Sequence, residues 1–267
     1  MKTVFITGAS SGIGAALART YATQGAILGL LGRRQGVLEQ LRQSLPNPTQ
    51  HRIYAVDVND HLALADAAQD FIAQVGQVHV VIANAGISVG TLSEYAGDLA
   101  VFERVLQTNL MATVATFTPF ITAMKDYAKV QKCRLVGIAS VAGIRGLPGA
   151  GAYSASKAGV ISYCESLRVE LKETGIRVVT IAPGYIDTPM TQINAYPMPF
   201  LMPVEQFAVQ AIRKIETGAS YTVIPWQMGV VAKLLRLLPN AVYDFAFSRA
   251  PKKARTKPDD ASECKDG

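Results

Sequence analysis

Short runs of aliphatic and β-branched residues recur at 3–7, 26–31, 52–56, 78–83, 134–139, 177–181 and 221–224. Runs of this length with these residue types suit buried strands. Longer stretches with apolar positions three and four apart separate them, the spacing of a helix with one buried face. Strand and helix alternate along the whole body. That order implies βαβ units with right-handed crossovers and a parallel sheet covered on both faces. The pattern therefore predicts an α/β fold: one domain built on a doubly wound parallel sheet of about seven strands, with no internal repeat and no interdomain linker.

Two segments break the rhythm. Positions 190–203 hold Pro197, Pro199 and Pro203 among Tyr196, Met198, Phe200, Leu201 and Met202, so a regular helix is excluded and an apolar lid is expected. After the last strand, 226–247 reads as an apolar helical pattern interrupted at Pro239. The expected organisation is a body over 1–225, a C-terminal helical extension of the same domain over 226–248 and a charged, flexible tail over 249–267.

The chain has 267 residues, 49% of them hydrophobic, enough to bury a large core in one domain. Its net charge of +6 raises the question of nucleic acid. Five cations, Arg249, Lys252, Lys253, Arg255 and Lys257, crowd into one short stretch near the C-terminus and are followed by Asp259, Asp260, Glu263 and Asp266, while the body shows no basic stripe. A solvated tail is expected, with no nucleic-acid partner. Cys133, Cys164 and Cys264 are too few and too scattered for a disulfide framework, which points to a reducing, cytoplasmic compartment. No leader sequence fits before the first strand, and no apolar run is long enough to span a bilayer. The three histidines, His51, His61 and His79, stand at no metal-ligand spacing, so no metal is expected and surface or capping roles are. Cys164 reads as a small buried side chain, with no histidine placed to activate it.

The candidate chemistry lies at the ends of strands. Directly after the first strand come Gly8, Ala9, Ser10, Ser11, Gly12, Ile13 and Gly14, opening a helix. Glycines let such a turn approach a pyrophosphate, and the free N–H groups of the helix start favour an anion. Gly32-Arg33-Arg34 ends the second strand, where a carboxylate would bind a ribose 2′-hydroxyl. Arginines there suit a 2′-phosphate instead, so NADP(H) is expected, with NAD(H) as the alternative. Tyr153 and Lys157 stand four apart at the start of a long helical pattern, one turn apart on one face. An ammonium near the phenol would draw its pKa down and let Tyr153 exchange a proton with a carbonyl or alcohol oxygen. Such a pair is common on ordinary helices. Ser140, at the C-terminal end of the fifth strand, alters the reading, because strand ends of this kind form the binding crevice and a hydroxyl there can orient the substrate oxygen.

Taken in order, these motifs resemble the single-domain branch of the short-chain dehydrogenase/reductase family, a Rossmann fold, and the resemblance runs to about Ile224. It implies that Asp57-Val58 contacts adenine and that Asn84-Ala85-Gly86 shapes the cofactor cleft. It implies further that Pro183-Gly184-x-x-x-Thr188, with Ile186 inside it, embraces the nicotinamide carboxamide. Ser140, Tyr153 and Lys157 match the family's catalytic core, Lys157 holding the nicotinamide ribose, and Asn109 matches a fourth member that adds a water-mediated proton relay. The chain departs from the pattern after Tyr221-Thr222-Val223-Ile224, where the usual Asp-Gly-Gly is missing, which puts the common tetramer in doubt.

The expected function is an NADP(H)-dependent oxidoreductase that passes a hydride between nicotinamide and the carbonyl or alcohol carbon of an apolar small molecule. A non-catalytic dinucleotide-binding regulator is the alternative. A homo-oligomer, dimer or tetramer, is expected. The extension at 226–248 is expected to dock on the body or on a second subunit, with peripheral membrane contact as the other option.

Overall fold

The computed structural model describes residues 1–194, 196–248 and Arg255. Its elements run β1 (Thr3–Thr7), α1 (Gly12–Thr23), β2 (Ile27–Gly32), α2 (Gln35–Ser44), β3 (Arg52–Ala55), α3 (His61–Val75) and β4 (Val80–Ala83). They continue with α4 (Asp98–Leu106), α5 (Ala112–Lys125), β5 (Arg134–Ile138), α6 (Gly151–Glu170), β6 (Arg177–Pro183), β7 (Ile186–Asp187) and α7 (Pro189–Gln192). The last are β8 (Met202–Pro203), α8 (Val204–Thr217), β9 (Tyr221–Ile224), α9 (Trp226–Leu237) and α10 (Asn240–Phe247). Seven strands form one sheet in the order β3-β2-β1-β4-β5-β6-β9, every neighbouring pair parallel. The α/β Rossmann architecture and the seven-stranded sheet expected from the pattern are both present.

The sheet is coated on both sides because its strands carry apolar residues facing both ways. Val4 and Ile6 of β1 pack with Leu17 and Tyr21 of α1 and Phe207 of α8. Between them, Phe5 points to the other face, with ring centroids 4.9 Å from Phe120 of α5 and 5.5 Å from Phe71 of α3. The order reverses direction at β1 and β4, so a crevice opens beyond their C-terminal ends. Thr7 locks that point: its hydroxyl accepts the N–H groups of Asn84 and Ala85 at 3.1 and 3.2 Å.

Two of the three histidines depart from expectation. His61 is exposed, but His51 is 1% exposed and His79 is half-buried. Nδ1 of His51 accepts the Leu28 N–H at 3.2 Å, and its Nε2 lies 2.9 Å from the Pro46 carbonyl. His51 thus ties the segment after α2 to strand β2.

The segment 190–203 opens with the single turn of α7 and ends in β8, which pairs with β7 through Ile186 and Met202. The extension forms two helices separated at Pro239, as its pattern indicated. Helix α9 buries Met228, Gly229 and Ala232 against the body, and Met228 lies so close to Gly184 that a β-carbon there would stand 2.7 Å from its Cγ. The extension therefore docks on its own domain. Of the tail, Arg255 is described: it is exposed, yet it pairs with Asp98 of the body. The remaining tail positions, Cys264 included, lie outside the described residues.

Candidate active site

The glycine-rich turn follows β1 where the sheet order reverses. Gly8 and Gly12 have φ of +66° and +51°, a region that side chains disfavour. A β-carbon on Gly14 would stand 2.2 Å from the Gly8 carbonyl, so only glycine allows the turn to fold this tightly. Ser11 ends the turn and no side chain caps the first N–H groups of α1, nor does an acidic residue stand in its first turn. Those donors suit an anion, and this cradle is the observation by which a dinucleotide fits the chain. The Asn84 amide spans the turn from the other side, donating to the Thr7 and Gly8 carbonyls at 3.1 and 3.2 Å. Asn84 therefore shapes the cleft from behind. Ile13 and Ile186 pack on the core and Val58 is buried, so these three support the cleft with their side chains turned inward. Asp57 accepts the Asn59 N–H at 2.9 Å, which holds the loop after β3.

At the end of β2 the two arginines differ. Arg34 donates to the Ser10 hydroxyl at 3.2 Å, joining the second strand's end to the glycine-rich turn, while Arg33 is exposed. Glu39 is bound by Arg42 and Gln43, both at 2.7 Å, and is thereby tied to its own helix.

The chemical end lies beyond β4, β5 and β6. Ser140 follows β5; its hydroxyl accepts the Ala142 N–H at 3.1 Å and hydrogen-bonds Tyr153. Lys157, one turn along α6, is buried and donates to the Ile138 carbonyl at 2.8 Å. The ion pairs among the described residues do not include it. A β-carbon on Gly86 would stand 3.4 Å from its ammonium, so that glycine leaves room beside the charge. Burial pulls the Lys157 pKa down to about 8. The ammonium was expected to draw the Tyr153 pKa down. Instead burial of the phenol raises it, and the Ser140 hydrogen bond lowers it by less. The ammonium lies 5.8 Å from the Tyr153 ring centroid and is directed at Ile138, which explains the difference.

Asn109 sits in a π-helical turn, Gln107–Met111, of the kind that interrupts helices at functional positions. Its side chain is fully committed: Oδ1 accepts the Ile87 N–H at 2.8 Å, and Nδ2 donates to the Ile87 carbonyl and the Ser156 hydroxyl at 3.0 and 2.9 Å. It braces the loop after β4 against the helix of Tyr153. Thr188 caps α7 together with Thr191, and its methyl side faces Gly12, whose β-carbon would lie 3.4 Å away. The loops bearing Gly12 and Pro183-Gly184 thus face each other across the cleft. Tyr196 of the 190–203 segment meets Tyr185 at 6.4 Å between centroids, which places aromatic surface beside the site.

A model of the short chain dehydrogenase family matches residues 2–196. The chain belongs to that family. It is 35% identical over 250 residues to an uncharacterized oxidoreductase of Myxococcus xanthus, covering 93% of this chain and 97% of that protein. It is 30% identical to a 3-oxoacyl-[acyl-carrier-protein] reductase of Chlamydia trachomatis, over 82% of this chain and 92% of that one. Among solved structures, a 3-ketoacyl-(acyl-carrier-protein) reductase from Brucella melitensis complexed with NADH superposes with TM-score 0.77 at 25% identity, covering 84% and 96% of the two chains. As a short-chain dehydrogenase, this chain is an NAD(P)-dependent oxidoreductase acting on the CH–OH/C=O couple.

The contacts of three residues at this end escaped the sequence reading. Arg145, after β5, donates to the carbonyls of Arg236 and Leu238 at 3.3 and 3.4 Å and to Asn240 Oδ1 at 3.1 Å. Asp98 and Arg255 form a two-pronged ion pair at 2.8 Å. Their partners stand 91 to 157 positions away, so no local spacing signals them.

Proposed function

We propose that this chain is an NADP(H)-dependent reductase of apolar ketones or aldehydes, working as a homo-oligomer in the cytoplasm. The observation that carries the reading is the convergence of Ser140, Tyr153 and Lys157 at the strand ends, with Arg34 and Ser10 joined at the far end of the same cleft. The uncapped start of α1 with Gly8, Gly12 and Gly14 would hold the pyrophosphate, Arg33 and Arg34 the 2′-phosphate, and Lys157 the nicotinamide ribose. Asp57, Val58, Asn84, Ala85 and Gly86 would line the adenine and ribose walls, and Pro183, Gly184, Ile186 and Thr188 the nicotinamide end. When bound, the dinucleotide supplies the hydride.

The chain's own part is orientation and one proton. Ala142 holds the Ser140 hydroxyl, which would bond the substrate oxygen and fix the carbonyl beside Tyr153. Burial keeps the Tyr153 phenol protonated near neutral pH, so it is set to give its proton to that oxygen as reduction proceeds. Asn109, by bracing the π-helical turn, would keep the relay path beside Lys157. The side chains of the 190–203 segment, Tyr196 first, supply an apolar lining suited to an apolar substrate. The outer face of α9 would rest peripherally on an anionic membrane surface.

The test is oxidation of NADPH against NADH over a panel of apolar ketones and aldehydes, with wild type, Arg33→Ala and Arg34→Ala. Loss of a charge-assisted contact to the 2′-phosphate should weaken NADPH binding by about 1.5–3 kcal/mol and leave NADH unchanged. NADPH affinity equal in all three proteins would overturn the NADP(H) assignment.

A further inference from the structure

We infer that Arg255 is a positioning residue: it latches the C-terminal arm onto Asp98 and so sets where the catalytic helix α6 begins. This rests on the reading above that Tyr153 of α6 is the proton donor.

The inference starts from a missing cap. Helix α6 begins after Ala150, which has no side chain able to cap it. The Ala152 N–H, next to Tyr153, is taken instead by the Thr91 hydroxyl at 3.3 Å. Thr91 also pairs as a strand bridge with Ala150 and donates its N–H to the Gly149 carbonyl at 3.0 Å. The first turn of α6 is therefore positioned by the loop between β4 and α4.

That loop is held in turn by Asp98. One carboxylate oxygen accepts the Leu92 N–H at 2.8 Å and also Nε of Arg255, while the other accepts Nη2 of Arg255, each at 2.8 Å. The arginine's backbone bridges Gly90, next to Thr91, and its guanidinium lies 3.6 Å over the Tyr95 ring. The Asp98 side chain is only 5% exposed with Arg255 over it, so removing Arg255 would strip the carboxylate of its charged partner and leave it the Leu92 N–H alone to hold the loop.

The arm is fastened a second time on the opposite loop. Arg145 donates to Arg236, Leu238 and Asn240 and lies 4.2 Å over the Tyr243 ring, and the Tyr243 hydroxyl donates to the Gly146 carbonyl. The Leu147 N–H in that loop bonds the Ser154 hydroxyl of α6 at 3.2 Å. Residues of the arm thus reach both loops that flank Tyr153, one through Arg145 and the other through Arg255. A displacement of the proton donor by about an ångström can cost on the order of a hundredfold in rate, so a latch of this kind governs turnover without touching substrate.

The experiment compares wild type with Arg255→Ala and Arg255→Lys in the full chain. Hydrogen exchange is read at 90–98 and 149–154, NADPH affinity by titration, and kcat and KM with the ketone found in the panel above. Arg255→Ala should exchange faster at both segments, lose about tenfold or more in kcat, and keep NADPH affinity within about twofold. Arg255→Lys, a single-pronged cation, should recover part of the protection, and millimolar guanidinium should raise the kcat of Arg255→Ala. Unchanged exchange at both segments would overturn the latch whatever the activity. Loss of NADPH affinity alongside kcat would show general unfolding and overturn it too. Altered exchange in a protein inert toward every carbonyl would instead leave the latch standing and count against the reductase reading.

Discussion

At the scale of single residues, the outcome turns on how burial competes with charge at Tyr153 and Lys157. Burial raises the phenol's pKa more than its hydrogen bond to Ser140 lowers it, so the protonated form prevails near neutrality and the proton is available for donation. Tyr153→Phe keeps the ring and removes the proton. It should lower kcat by about 10²–10⁴-fold while a fluorescence titration finds NADPH affinity unchanged. Wild-type turnover in that variant would exclude Tyr153 as the donor. Lys157, with its pKa pulled to about 8, should lose its charge as pH rises through that value. NADPH affinity should therefore fall above about pH 8 in wild type but not in Lys157→Arg, whose guanidinium stays charged. The identities of Ser140, Tyr153 and Lys157 were legible because a helical spacing and a strand end are local features. Their electrostatic balance was not, because it depends on burial and on the Ile138 carbonyl that draws the ammonium away.

At the scale of elements, the strands were legible because buried parallel strands are continuous apolar runs, and the expected runs match the observed ones to within about two residues. What ties the elements to one another was not. His51 shows why: its partners are a main-chain N–H 23 positions back and a carbonyl five positions back, and neither carries a side-chain signal. Since Nδ1 accepts a hydrogen bond, the neutral ring is the one that fits. Burial, aided by the charge of Arg42 and opposed by the Pro46 bond, lowers its pKa below the ordinary 6.5. Below that ordinary value the unfolded chain takes up a proton that the folded one resists, so stability is complete above about pH 6.5 and declines as pH falls. Half-buried His79, lowered by burial as well, adds to the same decline. Urea unfolding should show a lower midpoint at pH 5.5 than at pH 7.5. His51→Gln should be less stable at pH 7.5 yet lose less on acidification. An equal loss in both proteins would remove His51 from this account.

At the scale of the whole molecule, the C-terminal extension has one face accounted for and one not. Its inner face, Met228, Gly229 and Ala232, is covered by the body. Its outer face exposes Trp226, Val230, Leu234 and Leu237, with Trp226 and Leu237 at 71% and 79% of their surface, and Phe245 of α10 is exposed as well. The sequence pattern indicated the helix but not which of its apolar residues the body would leave uncovered, because that depends on the width of the contact with β9 and Gly184. Helix α9 has 12 residues and no described helix is long and apolar enough to cross a membrane, so on a membrane α9 would lie along the surface. No acidic residue stands in α9, whose charges are Lys233 and Arg236, and most of the tail's cations follow in sequence. An apolar stripe with a tryptophan at one end and cations on its flank is complementary to an anionic lipid surface, each charge near that surface adding about 1 kcal/mol. The intact protein should therefore sediment with vesicles containing phosphatidylserine, bind neutral vesicles more weakly, and be released as salt screens the charges. Leu234→Gln combined with Leu237→Gln should abolish sedimentation and leave NADPH affinity unchanged, since neither residue approaches the glycine-rich turn. No sedimentation of the intact protein at low salt would defeat the membrane reading. A halving of oligomeric mass in the double variant would assign the face to a second copy of the chain instead.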